Sequence, residues 1–135
     1  MEAKEIYDGH ADLWVRKEPI LLSDYSARPR VLELCGNVKG LTVLDLGCGE
    51  GYVGRQVAKS GARSVTGYDV SGAMIEGANQ TATAMGLEGL SYHVSDLRQA
   101  EFGDPQNPVD LVIAVFLFNY MDADSMSRIL KRVRQ

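Results

Sequence analysis

Short apolar runs alternate with segments of helical periodicity along most of the chain. Four runs are rich in aliphatic and β-branched residues and stop at glycine or acidic residues, as buried strands do. The predicted strands cover residues 42–46, 64–70, 90–95 and 109–116. The fourth run is almost wholly apolar, which is typical of a parallel strand that is covered on both faces.

The segments between and before these runs carry apolar residues at three- and four-residue spacing and predict helices. The predicted helices cover residues 1–16 with a break near Gly9, a segment capped by Ser23 or Asp24 that ends near residue 35, and residues 52–60, 72–85 and 126–134. Pro29 would occupy the first turn of the second helix or kink it. Strands that alternate with helices predict right-handed crossovers and one doubly wound α/β domain with a parallel sheet.

Composition and charge exclude several function classes. The 135 residues carry a formal net charge of −4 with acidic and basic residues interspersed, so binding to nucleic acid is disfavoured. No apolar run reaches the roughly 18 residues that a membrane span requires. The two cysteines, Cys35 and Cys48, do not form a CxxC motif, which favours a reduced, cytoplasmic location. His10 and His93 have no partners at metal-ligand spacing, and we expect no metal site.

A glycine-rich turn and three aspartates carry the candidate chemistry. Gly47, Gly49 and Gly51 follow the first strand and lead into a helix, whose N-terminal amides can bind an anionic or oxygen-rich ligand. Asp45, Asp69 and Asp96 fall at or just past the ends of three strands, which in a doubly wound fold face one crevice. The 20 residues from Gly49 to Asp69 match the interval at which a carboxylate binds a ribose diol.

The identity of the ligand has two interpretations at this point. Residues 49–54 match GxGxxG, so an NAD(P)-dependent oxidoreductase is one alternative. Asp45, however, places a carboxylate just ahead of the turn, where it would repel a pyrophosphate and attract a cationic ligand. A non-catalytic cofactor-binding fragment or subunit is a further alternative.

Four segments together resemble the motifs of the class I (Rossmann-like) S-adenosylmethionine-dependent methyltransferases. They are residues 43–51 (VLDLGCGEG), residues 67–71 (GYDVS) with Met74, residues 95–97 (SDL) and residues 109–116. The resemblance implies S-adenosyl-L-methionine as the cofactor and S-adenosyl-L-homocysteine as the product. It also implies a Rossmann-like doubly wound sheet with the strand order 3-2-1-4.

The resemblance implies a role for each matched position. Asp45 would orient the cofactor ammonium, Asp69 would accept from the ribose, and Val70 and Met74 would flank the adenine. Asp96 and the Leu97 amide would bind the adenine edge, and Tyr7 could close over the methionine carboxylate. The full set of implied cofactor-binding residues is Tyr7, Asp45, Gly47, Cys48, Gly49, Gly51, Asp69, Val70, Met74, Ser95, Asp96, Leu97, Ala114, Val115 and Phe116.

Candidate acceptor contacts are fewer, and no residue is identified as a general base. Trp14, Tyr25, Asn119 and Tyr120 are the candidates, and the acidic net charge favours a small-molecule methyl acceptor over nucleic acid. We expect residues 1–40 to form a helical lid or cap and residues 41–135 to form the cofactor-binding core. The resembling family has about seven strands, so we expect either that C-terminal strands are missing here or that a second copy covers the apolar fourth strand in a homo-oligomer.

Overall fold

A four-stranded parallel sheet forms the centre of the molecule in the computed structural model, which describes residues 2–134. The strands are β1 (Thr42–Leu46), β2 (Ser64–Asp69), β3 (Leu90–Val94) and β4 (Leu111–Ala114). Their order is β3-β2-β1-β4, with every neighbouring pair parallel. The doubly wound α/β fold and the order 3-2-1-4 are therefore confirmed.

Seven α-helices surround the sheet in the described part of the chain. They are α1 (Ala3–Asp8), α2 (Ala11–Trp14), α3 (Leu22–Tyr25), α4 (Ala27–Cys35), α5 (Tyr52–Lys59), α6 (Gly72–Ala84) and α7 (Ala123–Val133), and a 3-10 turn covers Phe118–Tyr120. The break near Gly9 is confirmed, because α1 ends there. Pro29 lies in the first turn of α4, where its missing amide costs no intrahelical hydrogen bond.

The second predicted helix is wrong in its start and its continuity. Neither Ser23 nor Asp24 is its N-cap, because Leu21 holds that position in α3, and Asp24 lies one turn inside, accepting from the Leu21 amide at 3.0 Å. Ser26, with φ −120° and ψ −77°, then separates α3 from α4. Because these dihedral angles lie outside the helical region, the backbone cannot continue as one helix.

The fourth strand is shorter and less covered than its apolar sequence predicts. It spans four residues instead of 109–116 and lies at the edge of the sheet, with Ile113 buried and Ala114 exposed. Pro108, which cannot donate to a ladder, precedes the strand. Phe116 follows with φ 58°, a left-handed conformation that turns the chain away from the sheet.

Alternation along β1 divides the core into two layers. Val43 packs with α4 and α5 on one face, whereas Leu44 and Leu46 pack with Ile129 of α7 on the other. Asp45 shares the face of Val43 because side chains alternate with a period of two. This alternation places a carboxylate beneath the glycine turn.

Among residues 2–134, no helix combines the length and the apolar character that crossing a membrane would need.

Candidate functional site

A cavity of about 520 Å³ lies at the carboxyl ends of the strands, between the glycine turn and the N-terminal helices. Asp45, Asp69 and Asp96 all line it, so the prediction that the three aspartates face one crevice is confirmed. Parallel strands of a doubly wound sheet present such a crevice where the strand order reverses, here between β1 and β4. We call residues 2–35, which cover the cavity from the N-terminal side, the cap.

Backbone conformation explains the three alternate glycines of the turn. Gly47, Gly49 and Gly51 have φ values of 70°, 54° and 82°, a region that side chains with a Cβ rarely occupy. A Cβ at Gly51 would also lie 2.7 Å from the ring of Tyr92. The amides of Gly47 and Cys48 both donate to the Tyr68 carbonyl of β2, at 2.8 and 3.1 Å. The turn is thus fixed to the neighbouring strand.

Asp69 connects the glycine turn with the start of α6. Its carboxylate accepts from the Gly49 amide and from the Ser71 amide, both at 2.9 Å. Burial raises the pKa of Asp69, and these amides partly oppose the rise. A carboxylate has about four acceptor positions, so two amides leave capacity for a ligand diol.

Asp45 is the most unusual group in the cavity wall. It is 2 % exposed, and its Oδ2 has no hydrogen-bond partner in the described structure. Burial raises the pKa of Asp45 to about 7, repulsion from Asp69 adds to the rise, and the Gly54 amide and the Arg28 guanidinium oppose it. A buried polar atom without a partner is costly, and in native proteins it often marks a ligand site.

Asp96 is held by Arg98 in this ligand-free arrangement. The guanidinium Nε and Nη2 atoms donate to the two carboxylate oxygens at 3.0 and 2.9 Å, and the Arg98 amide also donates to Oδ1. The hydrogen bonds from Arg98 lower the pKa of Asp96, which keeps it ionised. Its adenine contact stays a prediction, and Arg98 is a partner that the motif did not reveal.

Aromatic side chains close the cavity on the cap side. The Tyr7 hydroxyl lies 2.7 Å from the Tyr120 hydroxyl, and the Tyr7 ring centroid lies 5.6 Å from that of Trp14. Burial, followed by the hydrogen bond to Tyr120, raises the pKa of Tyr7. Asp8 fixes α1 to α6, because its carboxylate accepts from the Ser71 hydroxyl at 2.5 Å. The cap and the core therefore enclose the cavity together.

Arg28 brings a half-buried cation to the cavity wall, and sequence reasoning did not find it. Its guanidinium lies 5.4 Å from the ring centroid of Phe116 and 3.2 Å from an Asp24 carboxylate oxygen. Burial lowers the pKa of Arg28, although the group stays charged. The segment around Arg28 carries no ligand motif, and only the packing of α4 against the cavity reveals its place.

The structure brings most predicted site residues to the cavity. The lining includes Tyr7, Trp14, Asp45, Gly47, Cys48, Gly49, Asp69, Val70, Met74, Ser95, Asp96, Leu97, Val115, Phe116, Asn119 and Tyr120. Gly51, Ala114 and Tyr25 do not line it. Gly51 is the N-cap of α5, Ala114 is exposed at the sheet edge, and the Tyr25 hydroxyl donates to the Pro19 carbonyl at 2.7 Å.

Other lining residues carry no motif that sequence reasoning could use. They include Arg16, Ser23, Arg28, Tyr52, Leu117 and Met121. Glu50 also lines the cavity, and although it lies inside the glycine motif, the motif gave it no role. Gly47 has a second reason to be glycine, because a Cβ there would lie 2.9 Å from the Leu117 side chain.

Comparison with known proteins identifies similar chains. A family model described as a methyltransferase domain matches residues 43–135. An uncharacterized protein of Haemophilus influenzae is 33 % identical over 111 residues, which cover 80 % of this chain and 43 % of that protein. Aklanonic acid methyltransferase DauC of Streptomyces sp. (strain C5) is 34 % identical over 91 residues, which cover 64 % of this chain and 40 % of DauC.

A similar solved structure is that of an S-adenosylmethionine-dependent methyltransferase from Mesorhizobium loti. It is 30 % identical, with a TM-score of 0.68, and the match covers 79 % of this chain and 46 % of that one. The chain thus spans less than half the length of these three proteins.

Proposed function

The chain belongs to the class I S-adenosylmethionine-dependent methyltransferases, and from that premise we propose that it binds S-adenosylmethionine in the cavity between cap and core and transfers the methyl group to a small-molecule acceptor. NAD(P)-dependent oxidation and non-catalytic cofactor binding are the competing functions. The observation that carries the proposal is the buried, unpartnered oxygen of Asp45.

Asp45 discriminates between a cationic and an anionic ligand. Its Oδ2 lies beside the glycine turn with no partner, and a second carboxylate, Asp69, lines the same cavity. An ammonium group would satisfy this oxygen and stabilise the ionised form, whereas a pyrophosphate would be repelled by both carboxylates. The residues present therefore fit the methionine end of S-adenosylmethionine better than a dinucleotide.

The remaining wall supports an extended position for the cofactor. Asp69 would accept from the ribose hydroxyls, and Val70 and the buried Met74 would contact the adenine faces. Arg28 is a suitable cation for the methionine carboxylate because a guanidinium fork matches a carboxylate. It lies on the same side of the cavity as Phe116, which its ring contact establishes.

The protein contributes positioning and the exclusion of water. When bound, S-adenosylmethionine supplies a methyl group on a sulfonium sulfur that a nucleophile can take by in-line displacement. Phe116, with φ 58°, is held in a sparsely populated conformation at the end of β4, and the hydrogen-bonded Tyr7 and Tyr120 close the opposite side. Orientation in such a site contributes several kcal/mol without a general base.

The division of labour within the chain follows from the same contacts. We assign residues 1–40 to a cap and residues 41–135 to the cofactor-binding core. The hydrogen bond between Asp8 and Ser71 and the pair Tyr7 and Tyr120 support this division, since each joins the cap to the core beside the cavity.

A small acceptor is supported by the enclosure of the cavity and by the chemistry of its mouth. Trp14, Tyr120 and Asn119 provide two aromatic surfaces and one polar group. The net charge of −4 opposes binding to nucleic acid. The relative DauC is itself named for aklanonic acid as its acceptor.

Thermal unfolding with candidate ligands tests the proposed cofactor. We expect S-adenosylhomocysteine at a hundred times its dissociation constant to stabilise the protein by about 2.7 kcal/mol, which raises the unfolding temperature by several degrees. NAD at the same concentration should leave it unchanged. The reverse pattern would establish the dinucleotide alternative.

Transfer of a labelled methyl group to a panel of small acceptors tests catalysis separately. We expect incorporation that depends on both the protein and the acceptor. Cofactor binding without transfer to any acceptor would favour the non-catalytic alternative.

A further inference from the structure

Four ionisable side chains form a buried cluster between the cap and the glycine turn. Arg16, Asp24, Glu50 and Arg55 are 5 %, 4 %, 4 % and 1 % exposed. Charged side chains are almost never fully buried unless they are paired, and here two arginines face two carboxylates. The cluster joins two parts of the chain, since Arg16 and Asp24 belong to the cap and Glu50 and Arg55 to the core.

Arg16 makes the connection through its planar guanidinium. Its Nε and Nη2 donate to both oxygens of Asp24 at 2.7 Å each. Its Nη1 donates to Glu50 Oε1 at 3.0 Å and to the Trp14 carbonyl at 2.9 Å, and its Cζ lies 4.4 Å from the Tyr52 ring centroid. A fork of fixed geometry is needed for this combination of contacts.

On the core side, this network holds the residue in the middle of the glycine turn. Glu50 lies between Gly49 and Gly51, and its second oxygen accepts from Arg55 Nη2 at 2.6 Å. The same Arg55 nitrogen donates to the Arg16 carbonyl at 2.7 Å. Because Gly49 lines the cavity, the orientation of Glu50 affects the backbone that would surround the cofactor.

On the cap side, the network reaches the opposite wall of the cavity. Asp24, bound by both guanidinium edges of Arg16, also accepts from Arg28 at 3.2 Å. Arg28 in turn stacks near Phe116 at the end of β4. One arginine therefore links the glycine turn with the wall that faces it.

We propose that Arg16 is a positioning residue that couples the placement of the cap to the conformation of the cofactor-binding turn, acting through Glu50 and Asp24. This inference rests on the proposed function. Buried ion pairs are weak evidence for stability, because apolar residues of similar volume often replace them without loss. The geometric role explains why four charges are retained between two parts that must align around one ligand.

The test is the substitution Arg16→Lys, which keeps the charge and removes the fork. We expect the dissociation constant of S-adenosylhomocysteine to rise about tenfold, a typical coupling between linked sites, at a temperature where circular dichroism gives a folded protein. Arg30→Lys is the matched control, because Arg30 pairs with Glu33 on the exposed face of α4 and does not line the cavity. It should bind as the wild type does.

Trp14 provides a second readout, since it is the sole tryptophan and its carbonyl accepts from Arg16. In the wild-type protein its fluorescence should change when S-adenosylhomocysteine binds, and in Arg16→Lys this change should be reduced even at saturation. If Arg16→Lys does not fold, Glu50→Gln keeps the shape of the acceptor and should weaken binding by a similar factor.

Two results separate the inference from the function beneath it. If Arg16→Lys, or Glu50→Gln in its place, unfolds at a lower temperature but binds with the wild-type constant and fluorescence change, the cluster is only structural and the inference is overturned. Failure of the wild-type protein itself to bind S-adenosylhomocysteine overturns the proposed function.

Discussion

Replacing Asp69 with alanine is expected to weaken S-adenosylhomocysteine binding by a hundredfold or more. The variant removes the proposed ribose acceptor, and it also frees the Gly49 amide that Asp69 holds at 2.9 Å. Hydrogen bonds to a charged group contribute about 1.5–3 kcal/mol each, so the loss of two corresponds to a factor of about 100 or more. Isothermal titration calorimetry measures the change directly.

Asp110→Ala is the matched control for this experiment. Its carboxylate also accepts from a backbone amide, that of Thr42 at 2.8 Å, but at the amino end of β1 and away from the cavity. It should lower stability by about 1 kcal/mol and leave affinity unchanged. Equal affinity of the Asp69 variant and the wild type would refute the ribose assignment.

Asp45→Asn should stabilise the ligand-free protein at pH 8 and weaken its binding to the cofactor. The folded pKa of about 7 lies above the ordinary value of 3.8. Between these values the folded chain keeps a proton that the unfolded chain has lost, so the free energy of unfolding of the wild type falls as the pH rises. At pH 8 the full penalty applies, and asparagine removes it.

Urea unfolding at several pH values measures this effect. The variant should be more stable than the wild type by about 2–4 kcal/mol at pH 8, and the difference should vanish near pH 4. Asp12→Asn, the same exchange at an exposed position of α2, should leave the pH profile unchanged. An Asp45→Asn variant that is less stable than the wild type at pH 8 would show that the carboxylate is satisfied without a ligand.

The ligand-binding half of the prediction has the opposite sign. An ammonium group stabilises the ionised carboxylate, so the affinity of the wild type for S-adenosylhomocysteine should rise from pH 6 to pH 8 as Asp45 loses its proton. The Asp45→Asn variant should bind weakly, and its affinity should lack this rise. Calorimetry in buffers of different ionisation enthalpy detects the proton that the wild type releases.

Local sequence was sufficient to predict the sheet and the three aspartates. The strand ends, the positive-φ glycines and the interval from Gly49 to Asp69 depend on neighbouring residues or on one crossover, and all appear where they were expected. The length of β4 was overestimated because apolar character does not reveal where an edge strand loses its partner. Ser26 broke a predicted helix for a similar reason, since no residue type there forbids continuation.

Contacts across long sequence separations could not be predicted. Arg16 meets Glu50 34 residues away, and Tyr7 meets Tyr120 113 residues away. Neither pair has a periodic or motif signal, because each depends on how the cap packs over the turn. The same limit explains Arg28, whose place on the cavity wall follows from the packing of α4 and from no feature of its own segment.

A crystal structure of the protein grown with saturating S-adenosylhomocysteine tests the central claim most directly. The account predicts ligand density in the cavity, with the ribose hydroxyls within hydrogen-bond distance of Asp69 and the ammonium beside Asp45 Oδ2. Ligand density outside this cavity, or inside it with the ribose away from Asp69, would contradict the account.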